Sequence, residues 1–166
     1  MRTGIALGSN LGDRLKNLRE AAAYLQSLCL PDGEFLISHA YETTPVDCPP
    51  DSPVFLNAAA EIEFEGDIFY LLANLQAYEQ SKGRPTLHAK NAPRSIDLDI
   101  LYSDNMTLTT PALNLPHPEL LKRSFVLTPL AEICPARLLP DHSKTIEEYQ
   151  SELPVNIEVN KKYNIL

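Results

Sequence analysis

Apolar and polar positions along the chain follow two periods. Ile5-Ala6-Leu7 reads as a short buried strand, followed by the turn residues Gly8-Ser9-Asn10. From Leu11 to Leu30 the apolar residues Leu11, Leu15, Leu18, Ala22, Leu25 and Leu28 fall on one helical face, with Asn10 or Asp13 as cap. Pro31-Asp32-Gly33 ends that helix. Phe35–Tyr41 and Phe55–Phe64 read as strands. Between them Thr43–Pro53 holds four prolines, too many for regular structure and the composition of a shaped loop. Ile68, Leu71, Leu72, Leu75 and Tyr78 make the stripe of a second helix. Ile96-Asp97-Leu98-Asp99-Ile100-Leu101 alternates with period two, a strand, and Ser103-Asp104-Asn105 is its turn. Leu120–Ile133 mixes short helical pieces and Ile146–Tyr149 adds another. The tail from Leu153 onward carries no pattern.

Strand–helix–strand–strand–helix–strand is the order of a ferredoxin-like α+β fold: an antiparallel sheet with helices packed on one face. With no repeat, low-complexity tract or linker, residues 1–166 are expected to form a single domain. At 44% apolar and 22% charged the chain has the composition of a soluble globular protein with a real core. No apolar run reaches a membrane span, and the first residues do not read as a signal peptide. Cys29, Cys48 and Cys134 are widely spaced and unpaired, which fits a reducing cytoplasm rather than a disulfide framework or a zinc site.

A net charge of −8 disfavours nucleic acid or an anionic membrane as partner. From Gln80 to Ile96, however, there is no acidic residue, and Lys82, Arg84, Lys90 and Arg94 accompany His88. This basic segment leads directly into Asp97 and Asp99. Two positions apart on a strand, those carboxylates project from the same face about 7 Å apart and repel unless a cation lies between them. Magnesium takes one or two carboxylates together with substrate phosphates, and Arg94 can fork onto a phosphate. A half-solvated strand that merely carries two Asp would show the same alternation. Gly8-Ser9-Asn10-Leu11-Gly12 has neither the P-loop spacing nor the dinucleotide fingerprint and reads as a strand-to-helix turn. His117, held between Pro116 and Pro118, could donate to a phosphate or act as an acid. Asn57, in the run Val54–Ala60, needs hydrogen-bond partners that the edge of a flat heterocycle could supply, with Phe55 two residues away. Glu79 reads most simply as a solvated charge.

Taken in order, Gly8–Gly12, Tyr41–Val46, Phe55–Ala59, Gly83-Arg84, Pro93–Leu101, Pro116-His117-Pro118 and Arg123–Ile133 resemble the 6-hydroxymethyl-7,8-dihydropterin pyrophosphokinases of folate biosynthesis. The resemblance covers about residues 4–141. It implies transfer of the terminal diphosphate of ATP to the hydroxymethyl group of a reduced pterin, with release of AMP. Asp97 and Asp99 would hold two Mg2+ ions, with ATP as co-substrate. Arg84 and Arg94 would stabilise the phosphates and, with the two Asp, carry catalysis; His117 and Arg123 would complete the clamp. Gln76, Glu79, Lys90 and Ile100 are further implied ATP-binding positions. Phe55 and Phe125 would stack on the pterin, and Thr43, Pro45, Val46 and Asn57 would read its edge. The family resemblance also favours a monomer acting on small molecules in the cytoplasm.

The chain departs from the family where members often have Arg-Trp-Gly, for it has Lys90-Asn91-Ala92, and Thr86 replaces another basic residue. A lysine offers a point charge in place of a bidentate fork. A non-catalytic pterin- or nucleotide-binding homologue with an altered loop is therefore the alternative. A nucleic-acid-binding module is disfavoured by net charge and by the lack of interleaved aromatics.

Overall fold

A computed structural model describes residues 1–43, 54–83, 94–153 and 159–166. The expected loop after Thr43, and the readings placed on Pro45, Val46, Cys48, Arg84, Thr86, His88, Lys90, Asn91 and Ala92, lie outside the described residues.

The strands are β1 (Arg2–Ser9), β2 (Phe35–Ile37), β3 (Ala40–Thr43), β4 (Phe55–Glu63), β5 (Asp97–Ser103), β6 (Leu108–Thr109), β7 (Asn114–Leu115) and β8 (Val159–Tyr163). The helices are α1 (Arg14–Leu28), α2 (Ile68–Ser81), α3 (Ser124–Ile133) and α4 (Ile146–Glu152), with a one-turn 3-10 helix at Leu120–Lys122. The main sheet runs β5-β1-β4-β3-β8 with β2 also on β4, all pairs antiparallel. Without β8 this is the expected ferredoxin-like order. β6 and β7 form a separate ribbon.

Local chemistry sets the boundaries. Helix α1 begins later than its apolar stripe suggests. Gly12 adopts φ +69° and the Asp13 carboxylate accepts from the Lys16 N–H at 3.0 Å, so Leu11 stays outside the helix and exposed. The expected strand Phe35–Tyr41 is two. β2 pairs with β4 as Phe35↔Ile62 and β3 pairs as Tyr41↔Asn57, one residue out of step. Between them the buried Ser38 hydroxyl accepts from the Ala59 N–H at 3.0 Å, replacing the ladder bond that the slip removes.

The sheet is covered on both faces, not on one. Ile5 and Leu7 of β1, Leu56, Ala58, Ala60 and Ile62 of β4, and Leu98 and Ile100 of β5 pack with Leu18, Leu25, Leu71 and Leu75 of α1 and α2. The alternate residues Ala6, Ala59 and Leu101 meet Val126, Leu127 and Leu130 of α3, and Ile146 of α4. Helix α3, read from sequence only as helical pieces, thus builds a second layer. In β5 the register slips opposite Gly4 and Ile5, which pair with Tyr102 and Ile100 and leave Leu101 as an extra residue. Leu101 and Tyr102 consequently join the same cluster under α3.

Candidate active site

Among the described residues, the α3 side of the sheet leaves Asp97 half-buried and Asp99 exposed at the end where β1 finishes and β5 starts. One row across the sheet reads Tyr41–Asn57–Gly8–Asp97, and two rows along Ala6 pairs with Asp99. Asp97 and Asp99 therefore share a face with Asn57, separated from it by a glycine. A Cβ at Gly8 would lie 3.3 Å from Asn57 Oδ1 and 4.0 Å from the Asp97 Cβ. The missing side chain leaves a bare floor between the amide and the carboxylates.

Arg94 precedes β5 and its Nη1 donates to Asp97 Oδ1 at 3.3 Å. Its Nε is buried and has no hydrogen-bond partner among the described residues. The backbone of Arg94 is tied to the turn after β1: its N–H donates to Asn10 Oδ1 at 2.9 Å, and the Asn10 N–H donates to its carbonyl at 3.3 Å. Ser9 Oγ donates to the Ser95 carbonyl at 2.5 Å, and Asn17 Nδ2 of α1 donates to Ser9 Oγ at 3.2 Å and to the Leu11 carbonyl at 2.9 Å.

Asp99 is reached by solvent yet ringed by protein. Desolvation first, then the neighbouring Asp97 charge, raises its pKa above the usual carboxylate range, against the opposing pull of His117, Arg94 and Arg123. The His117 N–H donates to the Leu101 carbonyl at 2.7 Å, which seats this loop residue beside β5. Burial, helped by Arg123 and opposed by Asp99 and Glu119, lowers the His117 pKa, so the ring is neutral at pH 7. Its Nδ1 accepts from the Glu119 N–H at 3.1 Å, which puts the proton on Nε2. Arg123, just before α3, holds its guanidinium 5.8 Å from the centre of the Phe125 ring.

Asn57 is buried and donates from Nδ2 to the hydroxyl of Thr43, also buried, at 3.1 Å. Phe55 is half-buried at the start of β4, on the same face as Asn57. Glu79 is not the solvated charge its position suggested. It is buried at the end of α2 and accepts from the Leu98 N–H at 2.8 Å, satisfying the outer edge of β5 between the two Asp. Gln76 lies on the exposed side of α2, and the Ile100 side chain is in the core on the face away from Asp99. Sequence reasoning missed Gly8, Asn10, Ser9 and Asn17. The Gly-Ser-Asn turn was visible, but the backbone groups of Arg94 and Ser95 that Asn10 and Ser9 bind lie more than eighty residues on.

The donor set suits a hard divalent cation. The Asp97 charge raises the proton affinity of Asp99, and a cation between the two carboxylates would remove that penalty. Among the described residues no group of three or more His, Cys, Asp or Glu gathers as a metal cage. Phosphate and water oxygens would have to complete the coordination, as magnesium prefers.

The sequence profile of the family 7,8-dihydro-6-hydroxymethylpterin-pyrophosphokinase (HPPK) matches residues 4–135. The Bacillus subtilis protein 2-amino-4-hydroxy-6-hydroxymethyldihydropteridine pyrophosphokinase is 44% identical over 130 residues, covering 78% of this chain and 76% of the relative. A mitochondrial folate synthesis bifunctional protein of Arabidopsis thaliana is 39% identical over 131 residues, which are 78% of this chain and 23% of that one. A solved HPPK-DHPS in complex with substrates superposes at a TM-score of 0.63 with 16% identity, over 90% of this chain and 43% of the other. A Plasmodium falciparum HPPK-DHPS with pteroate gives 0.66 and 15% identity, over 91% of this chain and 40% of that one. These structures share the fold, and the chain spans less than half their length.

Proposed function

Because the chain belongs to the 7,8-dihydro-6-hydroxymethylpterin-pyrophosphokinase family, we propose that it transfers the diphosphate of ATP to the hydroxymethyl group of 6-hydroxymethyl-7,8-dihydropterin and releases AMP. The observation that carries this reading beyond family membership is the arrangement around β5: Asp97 and Asp99 face the same cleft as Asn57, with Arg94, His117 and Arg123 at its rim. Residues 1–166 act as one pyrophosphokinase domain on this reading, a monomer in the cytoplasm working on small molecules. No helix of the described residues is long and apolar enough to cross a membrane.

Asp97 and Asp99 would hold two Mg2+ ions, which when bound neutralise phosphate charge and orient the attacking hydroxyl. The remaining work is positioning and charge stabilisation by the chain itself, as transfers of this type require. Arg94 offers its guanidinium to the phosphates, and Arg84 and Lys90 add charge. Neutral His117 donates from Nε2 to an oxygen without adding net charge, and Arg123 supplies a second guanidinium. Gln76, Glu79 and Ile100 would be further contacts to the nucleotide on this reading. Phe55 and Phe125 stack on the ring while Asn57, Thr43, Pro45 and Val46 read its edge.

The test is AMP formation from ATP and Mg2+, with and without 6-hydroxymethyl-7,8-dihydropterin. AMP that depends on the pterin supports the reading. Saturable pterin binding without AMP would leave a binding protein in its place. Asp97→Ala should lower turnover by at least ~10³ and Arg94→Ala by on the order of 10²–10⁴. Near wild-type turnover in the Asp97 variant would remove the central assignment.

A further inference from the structure

Each peptide group flanking the Arg94 Cα is bonded to one residue, Asn10. Its Oδ1 accepts from the Arg94 N–H at 2.9 Å and its own N–H donates to the Arg94 carbonyl at 3.3 Å. Fixing the planes on both sides of a Cα fixes φ and ψ there, and with them the direction of the Cα–Cβ bond. Asn10 is itself only 7% exposed, and its turn is held in place: Asn17 of α1 bonds Ser9 Oγ and the Leu11 carbonyl, while Ser9 bonds the Ser95 carbonyl. The Arg94 side chain is mostly buried, but its guanidinium has few polar restraints among the described residues. One 3.3 Å bond to Asp97 holds it, and its buried Nε has no partner among the described residues. The hydrogen bonds that hold Arg94 are therefore mostly on its backbone.

We infer that Asn10 is a positioning residue: it clamps the Arg94 backbone so that the guanidinium faces the cleft above Asp97 before any phosphate arrives. The inference rests on the diphosphate-transfer reading above. Aspartate, serine and threonine at this position would alter the reach or charge of the acceptor, and alanine would delete it while keeping the backbone N–H bond. A misplacement of about 1 Å at a charge-stabilising group costs as much as ~10² in rate. A residue that acts only through Arg94 must also lose its effect once Arg94 is gone.

The experiment is a double-mutant cycle on the full chain, read as AMP release with Mg2+, ATP and 6-hydroxymethyl-7,8-dihydropterin, alongside pterin dissociation constants and thermal unfolding. Asn10→Ala is expected to lower kcat by roughly 10–100-fold and to leave pterin affinity within about twofold. In the Arg94→Ala background the same change should cost less than about threefold. If Asn10→Ala does not fold, Asn10→Ser replaces it, since its shorter side chain cannot span to the Arg94 amide. Losses that multiply in full, or an Asn10 variant with wild-type kcat, would overturn the positioning role while leaving the proposed function standing. A wild-type chain that makes no AMP would overturn the proposed function, and the catalytic meaning of the Asn10 clamp with it.

Discussion

Asp99 stands where desolvation and a like charge act together, so its ionised form is disfavoured in the folded chain. A carboxyl whose pKa is raised by folding penalises the folded state above that raised value. The penalty fades as pH falls through it and is absent below the ordinary carboxylate range. At neutral pH without metal, Asp99→Asn should therefore raise the melting temperature by about 2 °C, and calorimetry can measure it. If Asp99 holds metal as proposed, the same substitution should abolish the stabilisation expected from Mg2+ with ATP. A lower melting temperature in the variant would show that the carboxylate is held by partners rather than strained by them. Activity should fall on the acid side as Asp99 takes up its proton, and raising Mg2+ should move that limb to lower pH, because cation and proton compete for one group.

Strand β5 places chemistry at one end and a structural knot at the other. Its extra residue turns Tyr102 toward α3, where the hydroxyl donates to buried Glu61 at 2.6 Å and Arg137 reaches the same carboxylate at 2.5 Å. The Tyr102 ring covers Gly4 so closely that a Cβ there would sit 2.4 Å from it. Gly4→Ala must displace the ring and loosen the Glu61 contacts, at a cost of about 2–4 kcal/mol in denaturant unfolding. AMP release by the folded fraction should be unchanged, since Glu61 lies four residues, about 13 Å, along β4 from Asn57. The alternation Ile96–Ile100 was legible because an edge strand half covered by α3 keeps period two. The slip was not, although Ile100-Leu101-Tyr102 already broke the alternation, because a bulge is decided by the partner strand. Glu79 was misread for a related reason: its helix position looks solvated, and only the neighbouring edge of β5 makes a buried acceptor necessary.

For the molecule as a whole, the central order β5-β1-β4-β3 followed from element sequence, whereas its outer boundary did not. β8 pairs with β3 from Ala40↔Tyr163 to Thr43↔Val159 and covers an edge that would otherwise be open. Its five residues, Val159-Asn160-Lys161-Lys162-Tyr163, alternate too weakly to stand out, and their fit comes from a partner strand more than a hundred positions earlier. Lys162 reaches Glu132 of α3 at 3.5 Å, and Ile165 is buried in the main core, so this segment joins both layers. A chain ending at residue 158 should lose about 2–4 kcal/mol and should self-associate in analytical ultracentrifugation at concentrations where the full chain does not. A stable, monodisperse truncation would mean that β3 needs no cover.

Chain order then sets a timetable. Every other described strand is synthesised before β8, so the growing sheet presents an unpaired β3 edge until residues 159–163 have been made and have left the ribosome. Emergence of residues 159–163 is the step that closes it. Slowing synthesis before they emerge should lengthen the exposed interval and increase aggregation of newly made chains, with no change in the finished protein.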